Sequence, residues 1–319
     1  MLVNGQWVNE AQRLQATDSQ GRFLRQVSTF RHWVTRDGTP GPTGRGGFRA
    51  EPHRYHLYVA LNCPWACRTL IYRKLKKLED VISVSIAIPT FTEQGYSFGD
   101  YPGSIPDPLY HIRYIHEVYT RADPHYTGRA TVPVLWDKVQ HTMVNNESAD
   151  IIRMLNSAFD AFGDASVDFS PQELRADIDA LNARIYEGLN NGVYRAGFAT
   201  SQDAYQEAVS EVFACLDELE HRLEGCSYLL GDRITETDWR AFVTLIRFDT
   251  VYYLLFKCNV RRIIDYPRLS AYLKRLYAVP GVADTVDFHH IKRTYYSIPR
   301  VNPTGIVPKG PERIFRDEP

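Results

Sequence analysis

The 319-residue sequence has no long apolar run, only five cysteines and almost no net charge, and each shortage removes a class of protein. No window approaches the roughly 20 apolar residues that span a bilayer. Met1 to Glu10 has no basic segment followed by an apolar stretch of the kind that directs secretion. The expectation is a cytoplasmic protein with no membrane partner. Thirty-seven basic and 38 acidic residues leave a formal charge of −1 with no long run of either sign, so no phosphate-binding face is expected and nucleic acid is not a partner. The cysteines (Cys63, Cys67, Cys215, Cys226 and Cys258) are too few and too scattered for a disulfide framework, which points to a reducing compartment. Asn146-Glu147-Ser148 matches a glycosylation triplet, but without a secretion signal it is a chance match. Cys63, Cys67, His53 and His56 match no zinc-finger or ribbon spacing, so no metal is expected.

What is present is an ordinary globular composition, 44% hydrophobic and 24% charged, in a chain long enough for two cores. Residues 1–52 are polar and rich in turn formers, with seven glycines and prolines between Gly38 and Gly47, and read as an extension or covering loop. From Arg54 the pattern changes. Tyr55, Leu57, Val59 and Leu61 alternate as in a strand that ends at Asn62-Cys63-Pro64. Pro64 suits a first helical position, and Ala66, Leu70, Ile71, Leu75 and Leu78 share one helical face. Val81 to Ile88 is a second strand, which makes residues 54–88 a β-α-β unit with Cys63 at a helix start.

A long irregular insertion follows from Pro89 to about Thr127. Thr131 to Trp136 then reads as a strand with Pro133 at its beginning, where a missing N–H is tolerated and a cis Val132-Pro133 bond would be a shaped feature. Met143-Val144 supplies a short partner strand, and Glu147 to Asn156 a helix. Beyond Pro171 the period is helical. Leu174, Ile178, Leu181, Ile185 and Leu189 form one stripe; Tyr205, Val209, Val212, Leu216, Leu219 and Leu223 form another, closed by Gly225. Thr235 to Asp238 is a capping box opening a helix through about Phe256, and Pro267 opens a helix that Pro280 ends. The division expected is 1–52 extension, 53–160 α/β domain, 171–298 all-α domain and 299–319 proline-rich tail.

A thiol at a helix N-terminus meets unpaired backbone N–H groups and the positive end of the macrodipole, both of which favour the thiolate. A strand ending in Cys-Pro-Trp-Ala, a later Val-Pro at a strand start and Glu-Ser at a helix start together resemble the glutathione transferase superfamily. The runs Asn62 to Ala66, Gly128 to Asp137, Asn145 to Ser148 and Asn302 to Pro308 look like its Xi class, the glutathionyl-hydroquinone reductases. The likeness covers nearly the whole chain. It implies an N-terminal thioredoxin-like α/β domain plus an all-α C-terminal domain, glutathione as co-substrate, quinol-type substrates and a homodimer.

By that resemblance Cys63 is the nucleophile, Val132 beside Pro133 offers its backbone to the cysteinyl part of glutathione, Glu147 and Ser148 hold the γ-glutamyl end, and Arg129 holds a carboxylate. The chemistry suits these roles, since a hydroxyl and helix N-terminal amides fit a carboxylate, a glutamate fits an ammonium, and arginine pairs with carboxylates bidentately. Glu147 and Ser148 read without the resemblance are a helix cap. The family's quinol-pocket tyrosines map onto Tyr194 and onto Tyr295 or Tyr296, with Tyr194 and Tyr296 as candidate proton donors. Two departures stand out. Cys67 occupies the place of a usual histidine, and Tyr96 that of a usual tryptophan. Residues four apart on a helix have Cβ atoms about 6 Å apart, too far for the roughly 3.8 Å of a disulfide, so Cys67 reads as a packing residue, with a resolving thiol as the alternative. Rival functions are an Omega-like thioltransferase or dehydroascorbate reductase, and a non-catalytic binding protein on the same two domains.

Overall fold

A computed structural model of the chain describes residues 1–9 and 17–315 and shows two compact units. The parts of the expected terminal segments at 10–16 and 316–319 lie outside the described residues. The first unit holds residues 26–168 and 284–290 with the described residues 1–9. The second holds 169–283 and 291–315 with 17–25.

The first unit begins with a small hairpin, β1 (Leu2–Val3) and β2 (Gln6–Trp7), turned at Gly5. There φ is +75° and a Cβ would lie 1.9 Å from the Pro124 carbonyl, so only glycine fits. Then come β3 (Tyr55–Val59), α1 (Pro64–Leu75), β4 (Ser83–Ile86), α2 (His116–Ala122), β5 (Val134–Asp137), β6 (Thr142–Asn145) and α3 (Ser148–Ser157). The four longer strands form one sheet in the order β4-β3-β5-β6. β3 runs parallel to β4, with Tyr58 opposite Ser85, and antiparallel to β5, with Tyr58 opposite Val134. Every β3 residue is buried, as a central strand requires. The expected β-α-β unit is present, and α1 packs on α3.

The expected strand from Thr131 starts three residues later, at Val134. Pro133 has no N–H for a ladder, and the Val132–Pro133 bond is cis. The insertion from Pro89 is less irregular than its composition suggests, because it contains α2. Glu117 accepts from the backbone of Arg113 and Tyr114 at 3.0 and 2.8 Å, while Val118 and Tyr119 are buried. Seven residues are too few for periodicity to reveal such a helix. Residues 26–52 join the first unit as well. Val34, Phe48 and Ala50 are buried there, and Thr35 exchanges backbone bonds with Phe48 and Ala50.

The second unit is helical: α4 (Arg175–Ile185), α5 (Gly192–Gly197), α6 (Gln202–Arg222), α7 (Glu236–Arg247), α8 (Pro267–Tyr277) and the C-terminal part of α9 (Phe288–Tyr296). Each residue of α7 is buried. Asp238 anchors its start, accepting from Thr235 N and Oγ1, Leu229 N and the Tyr272 hydroxyl. Two of these helices change pitch at their ends. α4 passes into a wider π turn at Tyr186–Asn190, and α7 into another at Phe248–Tyr252, so the regular helix expected to reach about Phe256 stops at Arg247. The proline-rich tail is tied down. Asn302 Nδ2 donates to the Tyr296 and Ile306 carbonyls, Lys292 Nζ to those of Lys309 and Gly310, and Phe315 packs on Tyr277.

Candidate active site

Cys63 is the N-cap of α1, with extended backbone, and Pro64 follows at the first helical position. Its Sγ lies 3.5 Å from the Val132 carbonyl and donates to it. The cysteine and the Val132–Pro133 corner are thus brought together across 69 residues of sequence. The thiol is nearly enclosed, with 6% of the residue exposed. The residue before it is also held, because Asn62 Nδ2 donates to the Tyr96 hydroxyl at 3.2 Å. Tyr96 is buried edge-on against Phe91, and its carbonyl accepts from Ile115 N.

The start of α3 is a second focus in the same unit. Glu147 is the N-cap; its Oε1 accepts from Ala149 N at 3.1 Å, and its own N–H donates to Asn145 Oδ1 at 2.7 Å. Ser148 is buried, and its Oγ accepts from Arg68 Nη1 at 3.4 Å. Arg68 projects from α1, is 1% exposed and lies over the Trp65 ring at 4.6 Å. One guanidinium therefore links the helix that begins at Cys63 to the helix that begins at Ser148. Arg129 sits in the loop leading to Val132; its N–H donates to Gln26 Oε1 at 2.9 Å, and its carbonyl accepts from the Tyr126 hydroxyl.

In the second unit the tyrosines cluster. Tyr295 shares hydrogen bonds with the hydroxyls of Tyr194 and Tyr252, the latter at 3.0 Å. Burial, then the neighbouring phenols, pushes the Tyr252 and Tyr295 hydroxyls well above their ordinary range. Tyr194 is only half-buried and has the Arg25 guanidinium over its ring at 5.5 Å. Phe256 packs beneath Tyr194 and Tyr295, and a Cβ on Gly197 would lie 2.3 Å from its ring, so the cluster needs glycine there. Tyr296 is engaged separately. Its hydroxyl donates to the Thr250 carbonyl at 3.3 Å, and burial pushes it up to about 12.

Cys67 is fully buried one turn below Cys63, its thiol 3.5 Å from the Thr285 carbonyl, and no disulfide joins any of the five cysteines. Among the described residues no cluster of histidines, cysteines and carboxylates forms a candidate metal site, and no helix is long and apolar enough to cross a membrane.

Sequence reasoning did not single out Arg68, Asn62, Tyr252 or the segment around Ser28 and Arg31 as parts of these clusters. Arg68 had a signal, a cation on the buried face of α1. Asn62 opens the Asn62 to Ala66 run; Tyr252, Ser28 and Arg31 had no signal, since their neighbours lie up to 119 residues away.

Two family models match, described as glutathione S-transferase N-terminal domain over residues 62–158 and glutathione S-transferase C-terminal domain over 202–275. Among similar proteins, glutathionyl-hydroquinone reductase YqjG of Escherichia coli is 52% identical over 320 residues, covering 100% of this chain and 97% of that protein. Glutathionyl-hydroquinone reductase PcpF of Sphingobium chlorophenolicum is 49% identical, covering 98% and 96%. The glutathione-bound structure of YqjG superposes with a TM-score of 0.90 over 98% of this chain and 96% of that one, at 51% identity. The glutathione S-transferase Xi from Phanerochaete chrysosporium does so with 0.89, covering 94% and 96%, at 45% identity.

Proposed function

This chain belongs to the glutathione S-transferase family, in its Xi class, and from that premise we infer that it is a glutathionyl-hydroquinone reductase. It returns glutathionyl-hydroquinones to hydroquinones at the expense of glutathione. The observation that carries the mechanistic reading is Cys63 at the start of α1, facing the Val132 carbonyl. A hydroxyl in that place would stabilise a bound glutathione thiolate, whereas a cysteine enters the reaction itself.

In the cycle we propose, the Cys63 thiolate attacks the sulfur of the glutathionyl-hydroquinone. The S–S bond of a Cys63–glutathione mixed disulfide forms as the carbon–sulfur bond breaks, and the aryl carbon takes up a proton to release the hydroquinone. A second glutathione thiolate then attacks the mixed disulfide, glutathione disulfide leaves, and Cys63 is a thiolate again. The backbone of Val132 beside Pro133 holds the cysteinyl part of glutathione, Glu147 its ammonium, Ser148 and the first amides of α3 its α-carboxylate, and Arg129 a second carboxylate. Tyr96 covers the cysteine loop. The proton comes from a tyrosine hydroxyl, and of the two candidates Tyr194 is the better supported, since its hydroxyl connects to Tyr295 and on to Tyr252 while that of Tyr296 is spent on a carbonyl. Cys67 serves as packing.

The test is to mix the protein with excess glutathione and glutathionyl-menadiol and to follow hydroquinone and glutathione disulfide. Stoichiometric release of both, lost in Cys63→Ala, is expected; turnover only of small mixed disulfides would replace this reading with a thioltransferase. We also infer a homodimer in a reducing cytoplasm, which sedimentation of the purified protein and fractionation of cells would check.

A further inference from the structure

The segment at residues 28–32, which composition marks as part of a covering loop, runs along the edge of β6 and ends on the start of α3. His32 N donates to the Val144 carbonyl at 2.9 Å, and Phe30 and Asn146 exchange bonds, backbone to backbone and backbone to side chain. Asn145 Nδ2 in turn donates to the His32 carbonyl. Two side chains of this segment reach past the strand. The Ser28 hydroxyl donates to Glu147 Oε2 at 3.0 Å, the nearer of its two acceptors, with the Asn146 carbonyl at 3.3 Å. The Arg31 guanidinium grips Asp150, its Nη2 3.0 Å from Oδ1 and its Nε on Oδ2. Asp150 also accepts from Asn145 Nδ2 at 3.1 Å.

The consequence for Glu147 is geometric. One carboxylate oxygen is fixed by Ala149 N and the other by Ser28 Oγ, so both ends of the carboxylate are held and its plane is set. Without Ser28 the Oε1 bond alone would remain, and the carboxylate would turn about it. Arg31 makes the attachment durable, because its partner Asp150 lies in the first turn of α3 and is itself buried. Charge-assisted pairs of this forked kind are among the more directional contacts in proteins.

We propose that Ser28 and Arg31 are positioning residues for the γ-glutamyl end of glutathione: the N-terminal arm aims Glu147 at the ammonium of the co-substrate. The proposal rests on the assignment of Glu147 to that ammonium. It predicts a loss that depends on the amino group and leaves the sulfur chemistry untouched.

The experiment compares glutathione with its analogue lacking the α-amino group, using Ser28→Ala, Ser28→Thr, Arg31→Gln and Glu147→Gln proteins in the full chain. Ser28→Ala is expected to raise KM for glutathione about tenfold with kcat unchanged, and to leave KM for the deaminated analogue as in the parent, since one hydrogen bond to a charged group is removed. Ser28→Thr, which keeps the hydroxyl, restores the parent KM. Arg31→Gln follows Ser28→Ala in direction. Equal losses on both co-substrates in Ser28→Ala would reduce the arm to a structural support and overturn the proposal, as would no loss on either. Glu147→Gln separates the two levels: if it discriminates between the co-substrates and Ser28→Ala does not, the arm's role is wrong, and if Glu147→Gln itself shows no discrimination, the assignment beneath it is wrong.

Discussion

Cys63 in the first unit and Cys215 in the second are both enclosed thiols, yet they stand at different places along their helices. Cys215 sits in the middle of α6, where the helical amides are spent on the preceding turn, and burial pushes its thiol up to about 12 despite the nearby Arg184. Cys258 is driven to about 12 by the same cause. Cys63 is the N-cap of α1, at the end of a helix where backbone N–H groups point outward. On the mechanism proposed above, reactivity follows the place of a cysteine along a helix rather than the depth of its burial.

The sharpest way to break this comparison is to exchange the residues' fates. Cys63→Ala should lower glutathionyl-hydroquinone turnover at least about 10³-fold, with Cys215→Ala within twofold of the parent, as measured by product release. If Cys215→Ala matched Cys63→Ala, position on the helix would not be the deciding factor. Next in size, Tyr194→Phe should lower kcat about 10²-fold, and Tyr296→Phe much less, because only the former hydroxyl belongs to the linked cluster. Equal effects in steady-state assays would remove the distinction between them. Third, iodoacetamide at neutral pH should label Cys63 and spare Cys215 and Cys258 until denaturant is added, with mass spectrometry as the readout.

The pH dependence of stability extends the contrast. His56, held on β3 between the Ser83 and Ser85 hydroxyls, is lowered by burial from 6.5 to about 4. A depressed folded-state value means the unfolded chain binds the proton first, so stability is lost as pH falls from 6.5 toward 4, by at most about 1.4 kcal/mol per pH unit. The raised thiols of Cys215 and Cys258 act at the other end. Their contribution is complete below pH 9 and is lost as pH rises from there toward 12. Urea midpoints between pH 4 and 11 should therefore fall on both sides. His56→Asn should flatten only the acid limb, and an unchanged acid limb in that variant would place the loss elsewhere.

Much of the candidate site was legible because its chemistry is coded locally. Cys63-Pro64 after an alternating strand, Pro133 at the start of another and Glu147-Ser148 at a helix start each announce their own backbone setting. Arg68 was half legible, as a cation on an apolar face. Ser28 and Arg31 were not, because what defines them is a partner more than a hundred residues away, and a turn-rich composition describes a segment's lack of repeat rather than what it rests on. Length hid α2, whose seven residues are too few to show a period and are held by Glu117 and by the burial of Val118 and Tyr119.

By itself the sequence determined the order of elements, the helix that opens at Cys63 and the helical second half, since caps, prolines and apolar spacing act within a few residues. The tertiary structure decided which of those elements meet. It set Cys63 against the Val132 carbonyl, joined Tyr194 to Tyr295 and Tyr252, and laid the N-terminal arm along β6, because packing and hydrogen bonding between distant segments depend on the fold that brings them together.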